Sequence, residues 1–328
     1  MSQPHAASGS HAARRGVLAA TAAATLWGCG TVASAIVLEH GVPPGPFTVV
    51  ELGGSVVFLS VLALGTRTRM PSLRTSWRAG ALGLLEPGLS YLLLNAGLAR
   101  TAASHAALIG ALEPVLIVLL GWAVLRLPLP RRLLVPMGAV LIGSAAVVLA
   151  QSAGGRSSVT GDLLVAAGVL CAAAYVLGTS RIDHELPAIG VVLLQQLAAL
   201  GLVVVVVAAT VGDDPTGGAP LGAWLAVPVI GVMSSAVTFW LYLVALRHLP
   251  AGTAGQFLAA IPVVGFVGAV VVLGEDATVP AALGAALVVL GLVLVSRGEQ
   301  RAADQAGGPA RRSSSDSTTG DDVAVVDR

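Results

Sequence analysis

Lysine is missing from this chain: all 18 of its basic Lys/Arg positions are arginine. Charged residues make up only 11% of it, against about 25% in a typical soluble domain. Aromatic residues are at 4%, and cysteine occurs twice, at Cys29 and Cys171. Both cysteines sit within apolar runs, so they read as small packing residues and exclude a disulfide scaffold. A net charge of +1 leaves no electrostatic footprint for nucleic acid. No Gly-x-x-x-x-Gly-Lys phosphate loop is present, which excludes an ATP-driven pump within this chain. There is no His-Glu-x-x-His zinc signature and no Gly-x-Ser-x-Gly elbow. The six histidines are scattered. The sequence therefore predicts no catalytic residues, no metal site and no cofactor, and a protein that is not an enzyme.

What the chain has instead is apolar length. Hydrophobic residues are at 55% and the mean hydropathy is +0.87. A membrane-crossing helix needs about 20 mostly apolar residues. Ten such runs follow one another: Gly16–Leu38, Gly45–Gly65, Ala79–Leu98, Thr101–Leu125, Leu133–Ala150, Leu163–Ser180, Pro187–Val211, Leu221–Leu246, Gly252–Gly274 and Val279–Ser296. They are continuously apolar rather than alternating, which favours helices over a barrel. The expected fold is an all-α polytopic membrane protein of ten transmembrane helices. Residues 1–15 and 297–328 are polar and aperiodic and are expected to be disordered cytoplasmic tails.

Arginine placement gives the orientation. With the N-terminus in the cytoplasm, 16 arginines fall on the cytoplasmic side and two, Arg100 and Arg156, on the other. By the positive-inside rule both termini are cytoplasmic. Arg14-Arg15 before an apolar run ending Leu26-Trp27-Gly28-Cys29 imitates a cleavable signal, but nine further spans follow, and the segment reads as the first span.

The two halves resemble each other. Gly97-Leu98-Ala99-Arg100 through Glu113-Pro114 lies against Ala245-Leu246-Arg247-His248 through Ile261-Pro262 at an offset of 148 residues. Trp27 falls on Tyr175 at the same offset. Past the prolines, Gly138 aligns with Gly284, a slip of two. This divides the chain into a first repeat at 16–150 and a second at 151–296. Five spans is an odd number, so the second copy enters the membrane from the opposite side. Inverted five-helix repeats recur in secondary transporters, with the solute held near the midplane.

Acids inside spans need a reason, because hydrocarbon disfavours them. Three qualify: Glu51, Glu86 and Glu113. Glu113 precedes Pro114, and Pro114 cannot donate to the Gly110 carbonyl, so the fourth span is interrupted near its middle. Pro262 does the same to Leu258 in the ninth span. Glu86 precedes Pro87 in the same manner. Glu51 either serves the pathway, or snorkels toward the interface or pairs with Arg100 on the same side. Gln256 offers a neutral hydrogen-bonding amide in the second half, and Trp27 and Tyr175 can line a cavity from matched positions. Glu113, Pro114, Glu86, Glu51, Gln256, Pro262, Trp27 and Tyr175 are the candidate solute-binding or coupling residues.

With these features in place, the chain resembles the EamA family of the drug/metabolite transporter superfamily. The matching residues are Leu26-Trp27-Gly28, Ala111-Leu112-Glu113-Pro114-Val115, Val272-Leu273-Gly274-Glu275, and Gly284 with Gly291. Two departures stand out. The Leu-Gly-Glu expected after the fourth span reads Val124-Leu125-Arg126-Leu127, and Glu51 stands where many relatives carry arginine. The resemblance implies a bacterial cytoplasmic-membrane carrier, an exporter of a small amino-acid-like or drug-like metabolite. Its partners would be that solute, the lipid bilayer and protons, with no nucleic acid. A lipid-acting membrane enzyme, a passive channel and a non-transporting partner protein are the competing classes. The sequence leaves homo-oligomerisation open.

Overall fold

The computed structural model describes residues 5–126, 128–129, 131–149, 158–179, 187–212, 214–249, 257–258, 260–276, 279, 282–291 and 293–294. Among them there are helices and no strand. In chain order the apolar helices are α1 (His5–Glu39), α2 (Pro44–Gly65), α3 (Ser76–Leu98), α4 (Ala103–Leu125), α5 (Arg131–Leu149), α6 (Val159–Thr179), α7 (Ala188–Thr210), α8 (Leu221–Ala245), α9 (Ala260–Val272) and α10 (Ala282–Gly291). Seven of these elements, α1 to α4 and α6 to α8, contain runs long and apolar enough to cross a membrane. The apolar part of α5 (Leu134–Gly143), α9 and α10 are shorter. The chain is a multi-pass membrane protein. Leu and Val side chains such as Val57, Val61, Leu64, Val205, Val229 and Val271 point outward from the bundle, as a surface bathed in hydrocarbon requires.

The backbone of α1 already begins at His5, inside the stretch expected to be disordered. Adding residues to a helix that has already nucleated gains one hydrogen bond per residue, and the alanines of this stretch resist it little. The tail at 297–328 lies outside the described residues.

Loops alternate between two ends. At one end, Ser158 N donates to Arg100 O at 3.1 Å. There too Glu275 reaches the start of α4, and Val42, Leu98, Ala103, Val165, Ala219 and Leu273 share one apolar cluster. At the other, Gly16 packs against His248 and Leu249, and Gly190 against Pro71. The first half thus starts at the Leu249 end, and the second at the Arg100 end.

The packing has the same exchange symmetry. α1 packs on α8 as α6 packs on α3, α1 on α9 as α6 on α4, and α2 on α8 as α7 on α3. α2 also meets α7 and α4 meets α9. α5 and α10 give the register. A Cβ on Gly143 would come within 2.7 Å of Gly284 O and 2.9 Å of Val288 Cγ2. A Cβ on Gly291 would come within 2.8 Å of Pro136 O and 2.6 Å of Val140 Cγ2. The matching members of the two contacts, Gly143 and Gly291, Pro136 and Gly284, Val140 and Val288, are each offset by 148 residues. The two-residue slip expected from pairing Gly138 with Gly284 is therefore a misalignment: Gly284 corresponds to Pro136, and the register runs unbroken. The glycine of the sequence match misled because the backbone contact, not the residue type, is what repeats.

Candidate functional site

Both α3 and α8 are distorted at matching depths. In α3 a 3₁₀ turn (Leu82–Leu84) leads into a kink within Leu85–Leu89, where Glu86 leaves the helical region with φ −141° and ψ 125°. Pro87 lacks the N–H that would continue the ladder. In α8 a π turn covers Gly231–Val237, just after Pro228. At the offset of 148, Glu86 falls on Ser234 and Gly83 on Gly231. Both glycines let a backbone come close: a Cβ on Gly83 would collide with the Gln195 backbone, and one on Gly231 with the Glu51 backbone. A wide turn such as the one in α8 is frequent at functional sites.

The expected break in α4 is present. Its first segment ends at Gly110, and its second (Glu113–Leu125) starts with Glu113 and Pro114. Glu113 therefore lies in the first turn of a helix whose free N–H groups favour a negative charge. In the second half α9 starts at Ala260 with Pro262 buried in its first turn. Residue 259 and the candidate Gln256 lie outside the described residues.

Glu86 and Glu113 are close enough to feel each other's charge. Glu86 is also within electrostatic reach of Tyr91 and Tyr175, and Glu113 of Tyr242. The rings connect. Trp27 meets Phe239 edge-on at 5.0 Å and Tyr242 at 6.1 Å, and Tyr175 meets Phe239 at 6.5 Å. Trp27 and Tyr175, matched by the repeat, thus flank one ring, and Phe239 is itself the repeat mate of Tyr91. Side chains from α1, α3, α4, α6 and α8 converge on one acidic, aromatic cluster inside the bundle. Neither Glu86 nor Glu113 is fully buried. The surface grooves at Trp122–Arg126–Leu129 and along Val57–Val61–Pro228 do not reach them.

Glu51 is placed apart from this pair. It is 3% exposed, and its carboxyl accepts from Asn95 Nδ2 at 3.0 Å. The expected alternative of a Glu51–Arg100 ion pair does not form: Arg100 donates to Ala96 O and stays exposed. Arg100 is beyond the last turn of α3, whereas Asn95 lies one turn deeper and can face α2.

Other polar contacts tie the helices to one another. Tyr175 Oη donates to Gln195 Oε1 at 3.1 Å, and Gln195 Nε2 donates to Ala79 O at 3.1 Å, tying α7 to α6 and α3. His105 Nδ1 lies 4.0 Å from Asp162 Oδ1, and Thr101 Oγ1 donates to the same oxygen. Asp162 was missed from the sequence because it stands in a polar loop there; α6 starts earlier and buries it to 3% exposure. Glu275 of the Leu-Gly-Glu ending accepts from Ala103 N at 2.7 Å and Ser104 N at 3.0 Å. It caps α4, whose N-cap side chain, Ala102, cannot.

Comparison with known proteins settles the family. The EamA-like transporter family model matches residues 14–149 and again 159–297. The chain belongs to the EamA-like transporter family. No curated protein matches it. Among 24 matching chains of solved structure, one described as "Crystal structure of protein" superposes with a TM-score of 0.61 at 23% identity. The match covers 87% of this chain and 98% of that one. At that identity the likeness shows the fold alone. Membership makes this EamA-like protein a membrane transporter of small solutes.

Proposed function

We propose that this EamA-like protein is a secondary carrier of the bacterial cytoplasmic membrane, with ten spans and both termini in the cytoplasm, exporting a small amino-acid-like or drug-like metabolite. The observation that carries this is the convergence of Glu86 and Glu113 with Trp27, Tyr175 and Tyr242 beside two broken helices. Carboxylates next to aromatic faces favour a solute bearing an amino or other cationic group. Rocking of the two repeats about Pro114 and Pro262 exposes the site to each side in turn, with Gln256 contributing from the second half. Glu113, held at the N-terminus of a half-helix, exchanges a proton for the solute.

The test has two stages. Metabolite profiling of the medium from deletion and overexpressing strains identifies the exported solute. Flux of that solute is then driven by an imposed pH gradient in reconstituted vesicles. Glu113→Gln is expected to abolish the gradient-driven component while leaving counterflow. Unchanged pH-driven flux would remove Glu113 from the coupling step.

A further inference from the structure

The hydrogen bonds around Glu51 do not balance if its carboxyl is charged. Thr48 spends its only hydroxyl hydrogen on Pro44 O at 2.8 Å, so it must receive a hydrogen from Asn95 Nδ2 at 3.0 Å. That fixes the Asn95 amide, whose second N–H goes to Glu51 Oε2 at 3.0 Å. Ser234, beside the carboxyl, has likewise committed its hydrogen, to Ile230 O at 2.7 Å. With the Ser234 hydrogen on Ile230 O, one neutral N–H is the donor left among the described residues for a carboxyl that is 3% exposed.

No cation compensates it among the described residues. From α3 the facing groups are Asn95 and Tyr91, and Tyr91 is the one that titrates. On α7, which packs against α2 from the other side, the polar groups are the neutral Gln195 and Gln196. On α8 it is Ser234. A bare carboxylate there would be a buried charge with most of its lone pairs unmet. Ser234 Oγ, with its own hydrogen turned away, is an acceptor in place.

We propose that Glu51 holds an exchangeable proton, given to Ser234 Oγ, and that this proton latches α2 to the π turn of α8. The seam is tight because Gly231 lies directly on the Glu51 backbone. Loss of the proton leaves a carboxylate that needs water, and the side able to yield is the π turn, where the helical ladder is already irregular. α8 then separates from α2 at Gly231–Val237. The gating consequence rests on the transport reading above; the proton itself does not.

Infrared difference spectroscopy of the purified protein in nanodiscs at neutral pH tests this without a solute. Wild type minus Glu51→Gln is expected to show one carbonyl band of a protonated carboxyl. Ser234→Ala moves that band to higher frequency by removing its acceptor, and Glu113→Gln leaves it in place. Amide protection across residues 231–237, taken relative to the intrinsic base-catalysed exchange rate at each pH, should fall as pH rises in wild type and stay flat in Glu51→Gln. A difference spectrum showing carboxylate at neutral pH, or a band erased by sodium chloride but not by choline chloride, overturns the proposal; the latter assigns the site to a metal cation. If Glu51→Gln does not fold, the shift in Ser234→Ala decides alone: an unmoved carbonyl spectrum overturns it. Failure of pH-driven flux at Glu113 leaves all of these outcomes unaffected.

Discussion

Gly143 rests on α10 as Gly291, 148 residues later, rests on α5: each presents a bare backbone to a carbonyl and a valine of the other helix. The contact is one geometry used twice. Gly143→Ala and Gly291→Ala should therefore destabilise by similar amounts, about 1–3 kcal/mol each from overpacking. Thermal unfolding in detergent measures both. A large loss from one and none from the other would show that the two contacts are not equivalent.

The Glu275 cap makes a second prediction. Glu275→Ala leaves the Ala103 and Ser104 N–H groups without their acceptor, with an expected cost of about 1–2 kcal/mol. Glu275→Gln keeps one oxygen and should lose less. Hydrogen exchange in the first turn of α4 should rise in the same order.

Arg126 and Gly274 end α4 and α9 in the left-handed region, at φ +55° and +68°. They are 148 residues apart. Gly274 has no Cβ to strain there, whereas Arg126 does. Arg126→Gly is expected to raise stability by about 1 kcal/mol, and Gly274→Ala to lower it by a comparable amount. Unfolding midpoints check the pair.

Acid should loosen the loop between α7 and α8. The Thr216 hydroxyl and then the N–H groups of Thr216, Gly217 and Gly218 hold the Asp214 carboxyl below the usual carboxylate range. A depressed folded value stabilises the loop above the unfolded value. That contribution is lost as pH falls through the folded one, below about pH 4. Gly217 packs against Gly41 O, so its amide reports the change. Protection of Gly217 and Gly218 should fall on acidification in wild type and be low at every pH in Asp214→Ala.

Much of this could be read from the chain before folding. Apolar run length gave the helices, because burial in hydrocarbon leaves a backbone no other partner for its polar groups. Pro114 and Pro87 announced the breaks in α4 and α3, since a missing N–H is a local fact. Trp27 and Tyr175 could be paired by the repeat. The polar links could not. Nothing in the linear order ties Asn95 to Glu51 on another helix. Nor does it tie Gln195 to Tyr175 and Ala79, the partners that tertiary packing gives it. Glu275 is an ordinary loop acid until α4 is brought under it.

The sequence by itself determined that this chain is a helical membrane protein with a repeated half, because length, hydropathy and proline act on the backbone locally. Only the tertiary structure decided which acids share a space. Glu86 and Glu113 come within electrostatic reach because helices from the same half approach at their breaks, while Glu51 bonds Asn95 beside the Gly231 seam. Which polar atoms end up adjacent depends on helix rotation and approach, and these are set by packing between segments far apart in the chain.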